Sequence, residues 1–102
     1  MNMSHVVLRE DGSYEISGLL TFATVPALLK QSSEWLASGA RVITVDLKQV
    51  SRADSAGLAL MIEWLRLARA RQLQLSFANI PTQLANLIRI SGLQDLFPTE
   101  SR

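Results

Sequence analysis

The segment Arg41-Val-Ile-Thr-Val-Asp-Leu47 constrains this chain most. It is β-branched and almost continuously apolar, the profile of a strand buried in the middle of a sheet. Helical spacing brackets it on both sides. Upstream, Thr24 is a capping residue type and Pro26 is tolerated in a first turn, where its missing N–H would have no partner. Val25, Leu28, Leu29, Trp35 and Leu36 recur at helical intervals before Gly39, which predicts a helix over 24–38. Downstream, Leu58, Met61, Ile62 and Leu65 form one stripe, and Leu60, Trp64 and Leu67 a second, which predicts a helix over 55–71. Leu73, Leu75 and Phe77 then alternate with polar residues as a strand does. Pro81-Thr82 opens a third helix carrying Leu84, Leu87 and Ile88, stopped near Gly92.

Strands separated by helices connect by right-handed crossovers, so most of the sheet is parallel. At the start, Asp11-Gly12 is a hairpin turn signal between Val6–Glu10 and Tyr14–Gly18, predicting an antiparallel hairpin over 5–18. The expected architecture is one α/β domain over 1–102, ordered β-β-α-β-α-β-α. It has a mostly parallel four-stranded sheet covered by three helices, and the tail Leu93, Leu96, Phe97-Pro98 folds back over the core edge.

Composition narrows the function. Ten Lys+Arg against nine Asp+Glu leave a net charge of +1, too little for a long-range field that would collect nucleic acid or anionic lipid. The absence of Cys removes disulfides, cysteine-ligated metals and cysteine nucleophiles. The single histidine, His5, reads as an exposed strand residue and removes His-paired metal sites and triads. The longest apolar run, Ala56 to Ile62, falls far short of the ~20 residues of a membrane span. The opening MNMSHVVLRED lacks the charged-then-apolar pattern of an export signal, so a cytoplasmic location is expected. No glycine loop with Lys and Ser/Thr is present to cradle a nucleotide. What these exclusions leave is a non-catalytic domain without metal or cofactor.

One stretch stands apart. A strand ends at Asp46-Leu47, and a short connection then delivers Asp54-Ser55-Ala56-Gly57 at the mouth of an apolar helix. There a hydroxyl sits near free backbone N–H groups at the positive end of a helix dipole. Taken alone this is a capped helix start, with Gly57 permitting close packing. Leu60, Trp64 and Leu67 either pack on a neighbouring helix or dock a partner, because Trp is frequent at interface hot spots. Arg66, Arg69 and Arg71 read as a solvated helix end. Asp46 and Asp54 lack the converging ligands or nucleophile of a catalytic pair.

The whole pattern resembles the STAS domain of anti-sigma-factor antagonists and sulfate-transporter tails. Asp46-Leu47, Val50, Asp54, Ser55, Gly57 and Leu58 fall on its signature. That resemblance implies a binding module. It also implies that a partner kinase phosphorylates the residue immediately before the glycine, where this chain has Ala56; Ser55, one residue earlier, is the hydroxyl open to such a switch. Within the family, Val50 to Leu60 looks most like the small cytoplasmic STAS subunit of Mla-type ABC transporters, which move phospholipids and maintain outer-membrane lipid asymmetry in Gram-negative bacteria. The implied partner is then the transporter's ATPase subunit, which would hold the protein at the inner membrane without insertion. The alternative partner is an anti-sigma factor or its kinase. The expected docking set is Ser51, Arg52, Asp54, Ser55, Ala56, Gly57, Leu58, Leu60 and Trp64.

Overall fold

In the computed structural model, which describes residues 4–97, the apolar segment at Arg41 opens a much longer strand than expected. The hairpin is β1 (Ser4–Leu8) and β2 (Tyr14–Leu20). Helix α1 (Val25–Leu36) crosses to β3 (Val42–Ala53), and α2 (Ser55–Ala70) crosses to β4 (Gln74–Ala78). After them come α3 (Thr82–Ile90) and a 3-10 turn, Gln94–Leu96. The four strands lie in the order β1-β2-β3-β4. The first pair is antiparallel, with Val6 opposite Ile16, and the other two pairs are parallel. The expected fold class is the one found. Phe97 is buried against the core, and Pro98 of the expected tail lies outside the described residues.

One apolar cluster joins the sheet to the helices. Ile16, Leu20, Ile43, Val45, Leu47, Leu75 and Phe77 come from the strands, and Leu28, Trp35, Met61, Trp64, Leu84 and Ile88 from the helices. A chain of rings runs through it. Tyr14 stacks on Trp35 at 5.0 Å, and Trp35 meets Trp64 edge-on at 5.4 Å. Phe77 lies 6.4 Å from Trp64 and 6.0 Å from Phe97. Such pairs add to the burial term, which dominates the stability of a domain this small.

The structure corrects the sequence-based expectations in four places. First, β3 is not apolar on both faces: Val42 is 62% exposed, and Thr44 sits half-buried beside Ser76, so only Ile43, Val45 and Leu47 of that run face the helices. Second, β3 does not end at Leu47 but continues to Ala53, paired with β2 alone beyond Asp46. Two register shifts, between Glu15 and Ser17 and between Gly18 and Leu19, each place an extra residue on β3, and such bulges erase the alternation that marks a strand. Third, Thr24 makes no cap bond to α1, because its hydroxyl donates to the Leu19 carbonyl at 2.8 Å instead. Leu29, placed among the helical apolar positions, is exposed.

Fourth, Leu60 and Trp64 do not form a docking stripe. They are 2% and 0% exposed. The inward side of α2 is formed by Gly57, Leu58, Leu60, Met61, Trp64 and Ala68, which recur about every three to four residues and make one continuous helix face. The two sequence stripes divide that face down its middle. Ile62, Leu65 and Leu67 flank it, half-buried.

Candidate functional site

The end of β3 delivers Asp54 to the mouth of α2, where its extended backbone makes it the N-cap. One carboxylate oxygen, Oδ1, accepts the Ala56 N–H at 2.9 Å, satisfying one of the donors a helix start leaves free. The other, Oδ2, accepts the Phe22 N–H at 3.2 Å from the β2–α1 connection. The Asp54 N–H donates to the Leu20 carbonyl at 3.3 Å. A single residue thus ties the end of β2, the connection after it and the start of α2 into one corner. Gln83, in the first turn of α3, borders it, its Oε1 accepting the Ala53 N–H at 3.0 Å.

Ser55 stands exposed on this corner, and its hydroxyl has no hydrogen-bond partner among the described residues. Ala56 behind it is half-buried. Gly57 is buried because the helix passes directly over the end of β2. A Cβ there would lie 2.6 Å from the Leu20 carbonyl oxygen and 3.1 Å from Leu20 Cγ. Gly57→Ala gains up to about 1 kcal/mol of helix propensity. It also drives a methyl into a backbone carbonyl that already holds the Asp54 N–H, and overpacking of that kind costs about 1–3 kcal/mol. The net result expected in urea denaturation is destabilisation, and a rise in midpoint would contradict the close approach.

The expected docking residues therefore divide into two groups. Ser51, Arg52, Asp54 and Ser55 are exposed, the first two on the bulged end of β3 rather than in a loop. Gly57, Leu58, Leu60 and Trp64 are turned inward, Gly57 against Leu20 at the corner and Trp64 into the ring chain farther along α2, and Ala56 lies half-buried between the two groups. Sequence reasoning missed Gln83 and Phe22. The signal for Phe22 was an aromatic bracketed by Thr21 and Thr24 in a strand-to-helix connection.

Asp46 lies away from this corner and shares no partner with Asp54. Its carboxylate accepts from Arg9 Nη2 at 2.8 Å, the Lys48 N–H at 2.9 Å and Asn79 Nδ2 at 3.0 Å. It pins the hairpin turn to the end of β4. Burial pushes its pKa up, but the bonds from Asn79, the Lys48 N–H and Arg9 together outweigh burial and hold it below the usual carboxylate value. A carboxylate depressed in the folded state stabilises above its unfolded pKa, near 3.9, and that contribution is lost as pH falls through the lower folded value. Asp46→Ala should cost at least about 1.5–3 kcal/mol at neutral pH, the scale of one hydrogen bond to a charged group. Denaturation at pH 7 and at about pH 3 should show the difference between wild type and variant shrinking in acid. No group of three or more His, Cys, Asp or Glu side chains among the described residues is placed to hold a metal ion. Arg66 is held by Glu63 at 2.6 Å.

A family model described as "Mlab, STAS domain" matches residues 7–98. The chain belongs to the STAS family. Among curated proteins, the anti-sigma-B factor antagonist of Staphylococcus aureus (strain NCTC 8325 / PS 47) is 32% identical over 98 residues, covering 94% of this STAS protein and 91% of the relative. The anti-sigma-B factor antagonist of Staphylococcus epidermidis is 30% identical with the same coverage. Among solved structures, the unphosphorylated anti-sigma factor antagonist SpoIIAA aligns with a TM-score of 0.71 at 19% identity, covering 97% of this chain and 89% of that one. A putative anti-sigma factor antagonist from Thermotoga maritima aligns at 0.77 and 14% identity, covering 99% and 88%. At such identities the structures show the fold alone. The curated relatives make this an anti-sigma-factor-antagonist-like STAS protein, in a family of regulatory binding modules.

Proposed function

We propose that this STAS domain is a non-catalytic adaptor whose Asp54–Ser55 corner docks on the ATPase subunit of an Mla-type ABC transporter and supports its phospholipid transport. The observation that carries docking is the corner itself: a capped helix mouth presenting an exposed Ser55 with no hydrogen-bond partner among the described residues. Two observations lean toward this reading rather than toward a kinase-switched one. The matching family model carries the Mlab description, and Ala56 supplies no hydroxyl before Gly57 for a kinase to modify. In this role the protein works in the cytoplasm and reaches the inner membrane through the transporter. No helix of the described residues is long and apolar enough to cross a membrane.

A second partner class, an anti-sigma factor or its kinase, is favoured by the names of the curated relatives. Ser55 would then be the hydroxyl to modify, with the carboxylate of Asp54 repelling the added phosphate.

Co-expression with each partner in turn separates the two. The expected result is a stoichiometric complex with the ATPase subunit and an unmodified intact mass for the adaptor. A stable complex with the anti-sigma kinase, together with a large phosphorylated fraction mapped to Ser55, would transfer the assignment to the second class.

A further inference from the structure

Strand β1 stands at one edge of the sheet and pairs with β2 alone. The Arg9 N–H donates to the Ser13 carbonyl at 2.8 Å, which fixes the alternation of the ladder beside it. In that register Arg9, Val7 and His5 turn their backbone groups toward β2, and Leu8, Val6 and Ser4 turn theirs away. The outward N–H and C=O groups form a free row along the edge, without hydrogen-bond partners among the described residues.

Such an edge templates a further strand, and proteins commonly blunt it with Lys, Pro or a bulge. Strand β1 has none of the three: Ser4-His-Val-Val-Leu8 carries no Lys or Pro and pairs with β2 without a register shift. At the opposite edge the Gln94–Leu96 turn lies alongside β4, where Leu96 shares a hollow with Gln74 and Leu75.

The strand that fits β1 is an inverted copy of itself. The free positions are symmetric about Val6, so a two-fold axis there sets Val6 against Val6 of the second copy and Ser4 against its Leu8. Every outward backbone group then has a partner. No Lys, Arg, Asp or Glu lies between Ser4 and Leu8, so the pairing brings no like charges together. The side chains agree with the backbone. Between β1 and α1 lies a hollow of about 510 Å³, lined by Ser4, Val6 and Leu8 of the strand and by Gln31 and Trp35 of the helix. Leu8 is 60% exposed beside it. Inverted pairing brings Val6 and Leu8 of the second copy to this hollow and covers both exposed leucines. His5 and Glu34, which also line it, are exposed to water.

We infer that β1 is a self-association surface: two copies of the chain pair antiparallel through Ser4–Leu8 about a two-fold axis at Val6, joining their sheets into one. The pairing uses no residue of the Ser55 corner and is independent of the partner that docks there. A single pair of five-residue strands is a small contact, so the dimer is reversible and concentration-dependent.

Sedimentation of the full chain from micromolar to millimolar concentration, with amide hydrogen exchange at both ends of that range, tests it. Wild type should pass from monomer to dimer. The Ser4, Val6 and Leu8 amides should then exchange at least tenfold more slowly, while those of His5 and Val7, already bonded to β2, change little. Leu8→Lys should raise the dissociation constant at least tenfold with an unchanged melting temperature of the monomer, because the side chain is largely exposed. Ser55→Arg should leave the dimer as it is. A chain that stays monomeric throughout, or a dimer in which those three amides exchange as in the monomer, would overturn the inference. A dimer that survives Leu8→Lys would overturn it as well, and one that dissociates in Ser55→Arg instead would move self-association to the docking corner.

Discussion

Trp64→Ala is expected to destabilise the fold by about 3–5 kcal/mol, the range for deleting a buried aromatic side chain. The indole is fully buried between Trp35 of α1 and Phe77 of β4, so its loss breaks the ring chain at its centre and leaves a cavity that three elements would have to close. Its Nε1 is buried with no hydrogen-bond partner among the described residues, so truncation strands no polar atom and the cost is one of packing. Domains of about a hundred residues have a total stability of only ~5–15 kcal/mol, so this one substitution removes a large part of it. Ile62→Ala, on the half-buried flank of the same helix, should cost clearly less. Urea denaturation of both variants checks the order, and Ile62→Ala proving the more damaging would contradict the burial of Trp64 at the centre of the core.

The second large effect is at Ser55. Arginine there places a long, bulky cation on the exposed corner, in front of helix N–H groups that themselves carry positive partial charge. At a packed interface the expected loss of partner affinity is about 2 kcal/mol or more, the scale of a hot spot. Ser55→Ala should lose only about 0.5–1.5 kcal/mol, the net value of one hydrogen bond. Because Ser55 is exposed, neither substitution should change the melting temperature measurably.

Much of the fold was legible because local signals agreed with it. Asp11-Gly12 marked the hairpin, and the Asp11 carboxylate does organise that turn, accepting from the Ser13 N–H at 2.9 Å. Asp54 could be read as a cap from its place before an apolar helix, and it caps. The far half of β3 could not be read, because its two bulges turn Lys48–Arg52 into a run with no period of two. Which stripe of α2 packs inward was left open for a different reason. Nearly every position from Gly57 to Leu65 except Glu63 is small or apolar, so periodicity alone leaves the face undetermined. It is settled by where α1 and β4 supply Trp35 and Phe77 to meet Trp64. Phe22 escaped because its place between Thr21 and Thr24 marks a strand-to-helix connection without saying whether the ring enters the core or projects away from it. The bond from its N–H to Asp54, 32 residues along the chain, and the Thr21–Thr24 bonds around it fix where it stands.

The central claim is that the exposed corner at Ser55 meets the ATPase subunit. Its most direct test is the dissociation constant of that complex for wild type, Ser55→Arg and the helix-three surface control Arg89→Glu, each first shown to be folded. Ser55→Arg should weaken the complex by about 30-fold or more, the equivalent of ~2 kcal/mol, while Arg89→Glu should bind like wild type. Wild-type affinity in Ser55→Arg together with release by Arg89→Glu would place the interface on α3 and contradict it.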